Sequence, residues 1–359
     1  MSRLAAAALL ALAVLVPGPR GHAAAQATTT TAAPASREVT FRNGDVELHG
    51  TLLLPDGPGP FPAMVFLHGS GPQVRAGFEP YAREFARLGI ASLYYDKRGS
   101  GESKGSWVTS SLEDLAKDAV AGVDLLETMK EIDPRRIGFW GVSQAGWVAP
   151  LAVSKAPDTA FLIVVSGGGS TPREAEMFAY RNHFKRMGLS PADTTKAVGV
   201  LDTYFRYLAT GKDRDKVVAQ LDEIRNGSLA PLAENLDRIL PSESNQPNWS
   251  WVATYDPAAY IAQLRCPVLL VFGDRDMEQP TEVAVTRWRA ALAKGGNTRA
   301  TVMVFPGANH GIRIPGSGPA ADLHGGPSSR APLADGYMDV QVGWLWRNVV
   351  RPVEDGARP

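Results

Sequence analysis

The sequence predicts a mostly parallel, doubly wound α/β sheet that opens with an antiparallel hairpin and carries a helical insertion. Three observations predict it. Beyond Pro62, short apolar runs alternate with helix-like patterns. The runs are nearly continuous in apolar residues, as strands covered on both faces are. One connection between strand-like runs is about 100 residues long, where an ordinary crossover needs a dozen or so residues including its helix.

The elements follow in order. Val39-Thr40-Phe41 and Val46-Glu47-Leu48 flank Asn43-Gly44, a tight-hairpin signal, and the second strand can run on through Leu52-Leu53-Leu54. Ala63 to Leu67 reads as a buried strand, Tyr81 to Leu88 as a helix, and Ile90 to Tyr95 as the next strand. In the helix from Leu112 to Met129, Leu112, Leu115, Ala116, Ala119, Val120, Val123 and Leu126 repeat at three and four, and Ser110 with Glu113 fits a capping box. Ile137 to Trp140 and Phe161 to Ser166 make two further strands, with a helix between them. After the insertion come Val268 to Phe272, a helix from Thr281 to Ala293, Thr301 to Phe305, and a last helix through Tyr337 to Trp346. Such alternation implies parallel pairing with right-handed crossovers.

The core is therefore expected over 37–169 and 264–351, and the insertion over 170–263. Thr171-Pro172 with Glu174, and Ser190-Pro191 with Asp193, are helix starts with proline in the first turn. Met177, Tyr180, Phe184 and Met187 share one helical stripe, expected to pack the insertion onto the core or to wall a substrate pocket.

The chain has 359 residues, 44% of them apolar, with acids and bases balanced at 37 each. Such a composition gives ample material for a core and no basic footprint for nucleic acid. Its start differs: Arg3, an apolar run from Leu4 to Val16, then Ala23-Ala24-Ala25 read as a signal peptide over 1–25. A run of roughly 13 residues is too short to span about 30 Å of hydrocarbon, so no stable membrane anchor is expected. The expected location is secreted or periplasmic. Cleavage would remove Arg3 and Arg20 and no acids, leaving a net charge near −2. Residues 26–36, rich in Thr, Ala and Pro, read as a flexible linker. Cys266 is the only cysteine and reads as a small core residue.

The chemistry starts at Gly141-Val142-Ser143-Gln144-Ala145-Gly146, where a strand meets a helix. A serine between small residues at that junction is a nucleophile elbow. Serine needs a base within hydrogen-bond reach and a carboxylate to orient the base. Gly273-Asp274-Arg275-Asp276 follows one later strand and Asn309-His310-Gly311 the next, giving the order Ser, Asp, His. Asp274 and Asp276 both follow the same strand. His324, the other downstream histidine, has no strand before it. Scattered histidines and the lack of a Cys/His cluster give no reason to expect a metal, and the loop from Asp96 to Ser103 lacks phosphate-loop spacing, so no cofactor is expected.

From the hairpin to about Val349, the chain resembles the α/β-hydrolase superfamily, and within it bacterial exported esterases related to dienelactone hydrolase. The resemblance lies in Leu67-His68-Gly69-Ser70-Gly71-Pro72, Asp96-Lys97-Arg98-Gly99-Ser100-Gly101-Glu102-Ser103, the elbow, the Gly-x-x-Asp turn and the Asn-His-Gly turn. It implies Ser143 as nucleophile, His310 as base and Asp276 as the acid. It also implies the amides of Gln144 and Ser70 as oxyanion donors, His68 as a loop-shaping residue, and Asp96, Arg98 and Ser103 as holding their loop near the elbow. The chain departs from the family in having polar Glu278 and Gln279 before Pro280, where an apolar residue is common.

The expected activity is cleavage of a small-molecule carboxylic ester through an acyl-enzyme. The alternative is an exported, aminopeptidase-like serine peptidase, which needs a carboxylate aimed into the cleft. Glu174 and Glu176 are the nearest candidates, although acids in a first helical turn also favour the helix dipole. A binding protein without turnover would have no physical reason to keep all three groups. The sequence sets no oligomeric state.

Overall fold

A computed structural model describes residues 35–240, 249–315 and 331–351. The signal-like segment, all of the linker except residues 35 and 36, and His324 lie outside them. Among the described residues no helix is long and apolar enough to cross a membrane.

The expected sheet is present, with eight strands among the described residues: β1 (Ser36–Asn43), β2 (Val46–Leu53), β3 (Phe61–Leu67), β4 (Ala91–Tyr95), β5 (Ile132–Val142), β6 (Leu162–Val165), β7 (Val268–Gly273) and β8 (Ala300–Phe305). They lie in the order β1-β2-β4-β3-β5-β6-β7-β8. β1 with β2 and β2 with β4 pair antiparallel, and every later pairing is parallel. The central strands are buried along their length because both faces are covered. One face carries α2 (Leu112–Glu127), α3 (Ala145–Lys155) and α10 (Thr281–Lys294). The other carries α1 (Glu79–Arg87) and α11 (Tyr337–Leu345), where Trp140 Nε1 donates to Gln341 Oε1 at 2.7 Å.

Two local readings shift by one residue. In the hairpin Asn43 pairs with Val46, so Gly44 and Asp45 form the turn, and Gly44 takes the positive φ of 57°. Asn43 is freed for another contact and donates to Asp118 Oδ1 at 2.8 Å. The cap of α2 is Ser111 with Asp114, not Ser110 with Glu113: Ser111 Oγ accepts from Asp114 N at 3.1 Å and Asp114 Oδ2 from Ser111 N at 2.9 Å. Ser110 Oγ instead receives Arg98.

Among the described residues between β6 and β7 are six helices: α4 (Pro172–Arg186), α5 (Pro191–Thr210), α6 (Arg214–Ile224), α7 (Ala230–Ile239), α8 (Ser250–Thr254) and α9 (Ala258–Ile261). Thr171 and Glu174 complete a capping box on α4, and Ser190 Oγ accepts from Asp193 N on α5. Met177, Tyr180 and Phe184 enter an apolar core internal to these helices, with Tyr204, Phe205 and Leu236, while Met187 is exposed. Met177, Tyr180 and Phe184 therefore pack within the insertion rather than onto the sheet.

Candidate active site

Parallel strands deliver their following loops to one edge of the sheet, where ligands of open α/β sheets bind. The loops after β3, β5, β7 and β8 carry the candidate residues there.

β5 ends at Val142, and the chain turns at once into α3. Ser143 holds the turn with φ of 58°, a left-handed conformation that is costly for a residue with a Cβ. Its amide still donates to Val165 O of β6 at 2.8 Å. The turn is tight enough to require its small neighbours. A Cβ on Gly141 would lie 2.4 Å from that of Ala145, and one on Gly146 would lie 2.1 Å from the carbonyl carbon of Gly167.

The turn after β3 lies beside the elbow, since a Cβ on Gly69 would stand 3.5 Å from that of Ser143. Gln73 brackets this turn, accepting from Gly69 N at 3.0 Å and donating to Ser70 O at 3.4 Å. Among the described residues the amides of Ser70 and Gln144 donate to no other group. His68 Nε2 lies 2.6 Å from Tyr95 O. Burial and the neighbouring Lys97 push its pKa down to about 3, so it stays neutral and shapes the loop.

Both aspartates after β7 are engaged, in different ways. Asp274 Oδ1 accepts from Gly307 N at 2.6 Å and ties the two loops together at an exposed position. Asp276 is buried, and its Oδ1 accepts from the amides of Glu278 at 2.8 Å and Gln279 at 2.9 Å. Its Oδ2 lies 2.7 Å from His310 Nδ1. The structure thus brings Asp276, not Asp274, to His310. The histidine turn is fixed by Asn309, whose Oδ1 accepts from the amides of Gly311 and Arg313, each at 3.0 Å.

The other ring nitrogen, His310 Nε2, makes no hydrogen bond among the described residues; Glu278 Oε2 lies 3.3 Å away. Burial disfavours the imidazolium, but the carboxylates of Asp276 and Glu278 outweigh it and raise the pKa from the ordinary 6.5 to about 9. Glu176 of α4 adds a third carboxyl. Burial and the charge of Glu278 push its pKa up to about 8. Glu174 is committed elsewhere, to Thr171 and to a two-pronged ion pair with Arg287 of α10.

Three residues that the sequence did not single out as functional sit at the site. Glu278 faces His310. Gln279 Nε2 donates to Gly168 O at 2.8 Å and Ser170 Oγ at 2.7 Å, joining the acid loop to the start of the insertion. The polar pair before Pro280 was the visible signal for both. Lys97 is buried, and its Nζ donates to Gly69 O at 2.7 Å and to Gln144 Oε1 at 2.8 Å. Nothing local in the sequence marks it. Its neighbours behave as the resemblance implied: Asp96 accepts from the amides of Arg75 and Glu102, Ser103 Oγ donates to Asp96 O, and Arg98 pairs with Asp118.

The chain is similar to Esterase EstD of Thermotoga maritima, 26% identical over 78% of this chain; the match spans 62% of that esterase, under two thirds of its length. It is also similar to quorum-quenching protein AidA of Acinetobacter baumannii, 25% identical over 88% of this chain and 91% of the relative. Among solved structures an esterase of Pyrococcus furiosus superposes with a TM-score of 0.56 over 94% of this chain and 98% of its own, at 16% identity, a likeness of fold. The fold is that of the α/β-hydrolases, and, matching over residues 43–310, the chain belongs to the X-Pro dipeptidyl-peptidase (S15) family.

Proposed function

We propose that the protein cleaves carboxylic esters of small molecules through an acyl-enzyme on Ser143. The observation that carries this reading is the buried His310–Asp276 pair at 2.7 Å, on the sheet edge where Ser143 heads its strained turn. In this reading Ser143 Oγ attacks the ester carbonyl and its proton passes to His310 Nε2. Asp276 holds Nδ1–H and stabilises the imidazolium without taking the proton. The carbonyl oxygen, now negative, is received by the amides of Gln144 and Ser70, fixed donors that need no reorganisation. His310 then returns its proton to the leaving alcohol, and a water repeats the sequence to free the acid. The bond from Ser143 to His310 is expected to form with substrate, as such bonds often tighten only in the complex. Fluorophosphonate labelling with peptide mapping tests the reading; an adduct elsewhere, or none, sinks it.

A second reading, an aminopeptidase-like activity, is favoured by Glu176. Its proton-holding carboxyl beside Glu278 is the kind of group a substrate ammonium would relieve. Short p-nitrophenyl esters compared with aminoacyl-naphthylamides separate the two. Turnover of the amides alone, lost in Glu176→Gln, would replace the ester reading.

Export belongs to the same proposal, on the strength of the Leu4 to Val16 run and the Ala23-Ala24-Ala25 site. An intact Met1 on protein recovered from the producing cell would exclude it.

A further inference from the structure

We propose that Lys97 is the positioning residue of the oxyanion cradle, one side-chain amine bonded at once to the turn and to the residue that carry the two donor amides. The inference rests on the reading of Ser143 as nucleophile. Gly69 O and Ser70 N–H belong to the same peptide unit, and in a trans peptide they point in opposite directions. By holding Gly69 O at 2.7 Å, Lys97 therefore aims the Ser70 amide the other way and polarises it, because hydrogen bonds in series strengthen one another. Its second bond, 2.8 Å to Gln144 Oε1, pins the residue whose own amide is the other donor. The turn after β3 and the elbow after β5 are far apart in sequence, and Lys97, after β4, bonds to both.

The burial of this amine is otherwise hard to account for. Among the described residues no carboxylate lies within ion-pair distance of Nζ, and burial pushes its pKa down to about 7. Asp118 opposes that shift, but its carboxylate is bonded to Arg98. A buried, poorly compensated cation costs stability that a methionine of similar length would not. What methionine cannot do is donate to Gly69 O and Gln144 Oε1 at once, which the lysine does as ammonium and, with two N–H groups left, as neutral amine.

The experiment compares wild type with Lys97→Met, Gln144→Met and the double variant on a p-nitrophenyl ester, with a trifluoromethyl ketone as the probe of the tetrahedral oxyanion. Loss of one oxyanion donor costs about 100- to 1,000-fold in kcat, so mispositioning is expected to cost Lys97→Met about 10- to 100-fold. KM should stay within about twofold, and the ketone's Ki should rise by the same factor as kcat falls. Gln144→Met, which keeps its amide, should lose less, and the double variant no more than Lys97→Met alone. A folded Lys97→Met with kcat and Ki within about twofold of wild type overturns the proposal. If that variant does not fold, Gln144→Met decides alone, and unchanged kcat and Ki overturn it. Fluorophosphonate labelling of wild type separates the two failures, since an adduct away from Ser143 refutes the nucleophile and the cradle together.

Discussion

Glu278 Oε2 stands 3.3 Å from His310 Nε2, on the side of the imidazole opposite Asp276. The ring is thus held between two carboxylates, and both favour its charged form. A base must be neutral to accept a proton, so the arrangement makes the resting site one that must first lose a proton.

The sign of the pH dependence follows. With a pKa of about 9, His310 is mostly protonated at neutral pH, and kcat/KM on an uncharged ester should climb as pH rises toward 9. Glu278→Gln removes one favouring charge and should move this limb to lower pH. A pH–rate profile of each protein, corrected for spontaneous hydrolysis, checks it; limbs that coincide contradict the role given to Glu278.

Glu176 predicts a stability effect of opposite logic. Its folded pKa, about 8, lies above the ordinary 4.5, so the folded protein holds a proton that the unfolded chain releases. Stability is therefore lost as pH rises from about 4.5 to about 8. Glu176→Gln should leave Tm unchanged below pH 4.5 and raise it by several degrees at pH 8, read by thermal melts across that window.

The two aspartates after β7 should separate cleanly. Asp276→Asn should lower kcat by about 10,000-fold, through loss of the correct histidine tautomer, with little change in fold. Asp274→Asn should keep kcat and lose at most about 1 kcal/mol of stability, because its exposed bond to Gly307 N only joins two loops. Steady-state kinetics with a denaturant melt checks both, and the reverse pattern would reassign the acid.

One substitution should have opposite signs at two glycines. Gly146→Ala drives a methyl to 2.1 Å from the backbone of Gly167 and should cost about 2–3 kcal/mol along with activity. Gly199→Ala, inside α5 with nothing within 4 Å, should stabilise by about 0.5–1 kcal/mol. Urea titrations of the two variants measure the contrast.

What the sequence revealed, and what it hid, has a physical pattern. The strands were legible because burial on both faces leaves continuous apolar runs such as Val268-Leu269-Leu270-Val271-Phe272. The places of Ser143, Asp276 and His310 in the fold were legible because each lies in the loop directly after its strand. The α2 cap shifted by one because Ser110 and Ser111 are both able to cap, and only the position of Arg98 decides between them. Lys97 and Glu278 stayed hidden as participants because a charged residue in a loop usually faces water. Their burial and aim are set by β3, β5 and β8, which lie far from them in sequence.

The apolar residues of α4 to α8 pack largely against one another, apart from the two cores that flank the sheet. Substitutions in the insertion's own core can therefore accumulate one residue at a time while the sheet keeps its composition. Such drift meets its boundary at Trp251, which among the described residues packs against both the insertion's core and the sheet's.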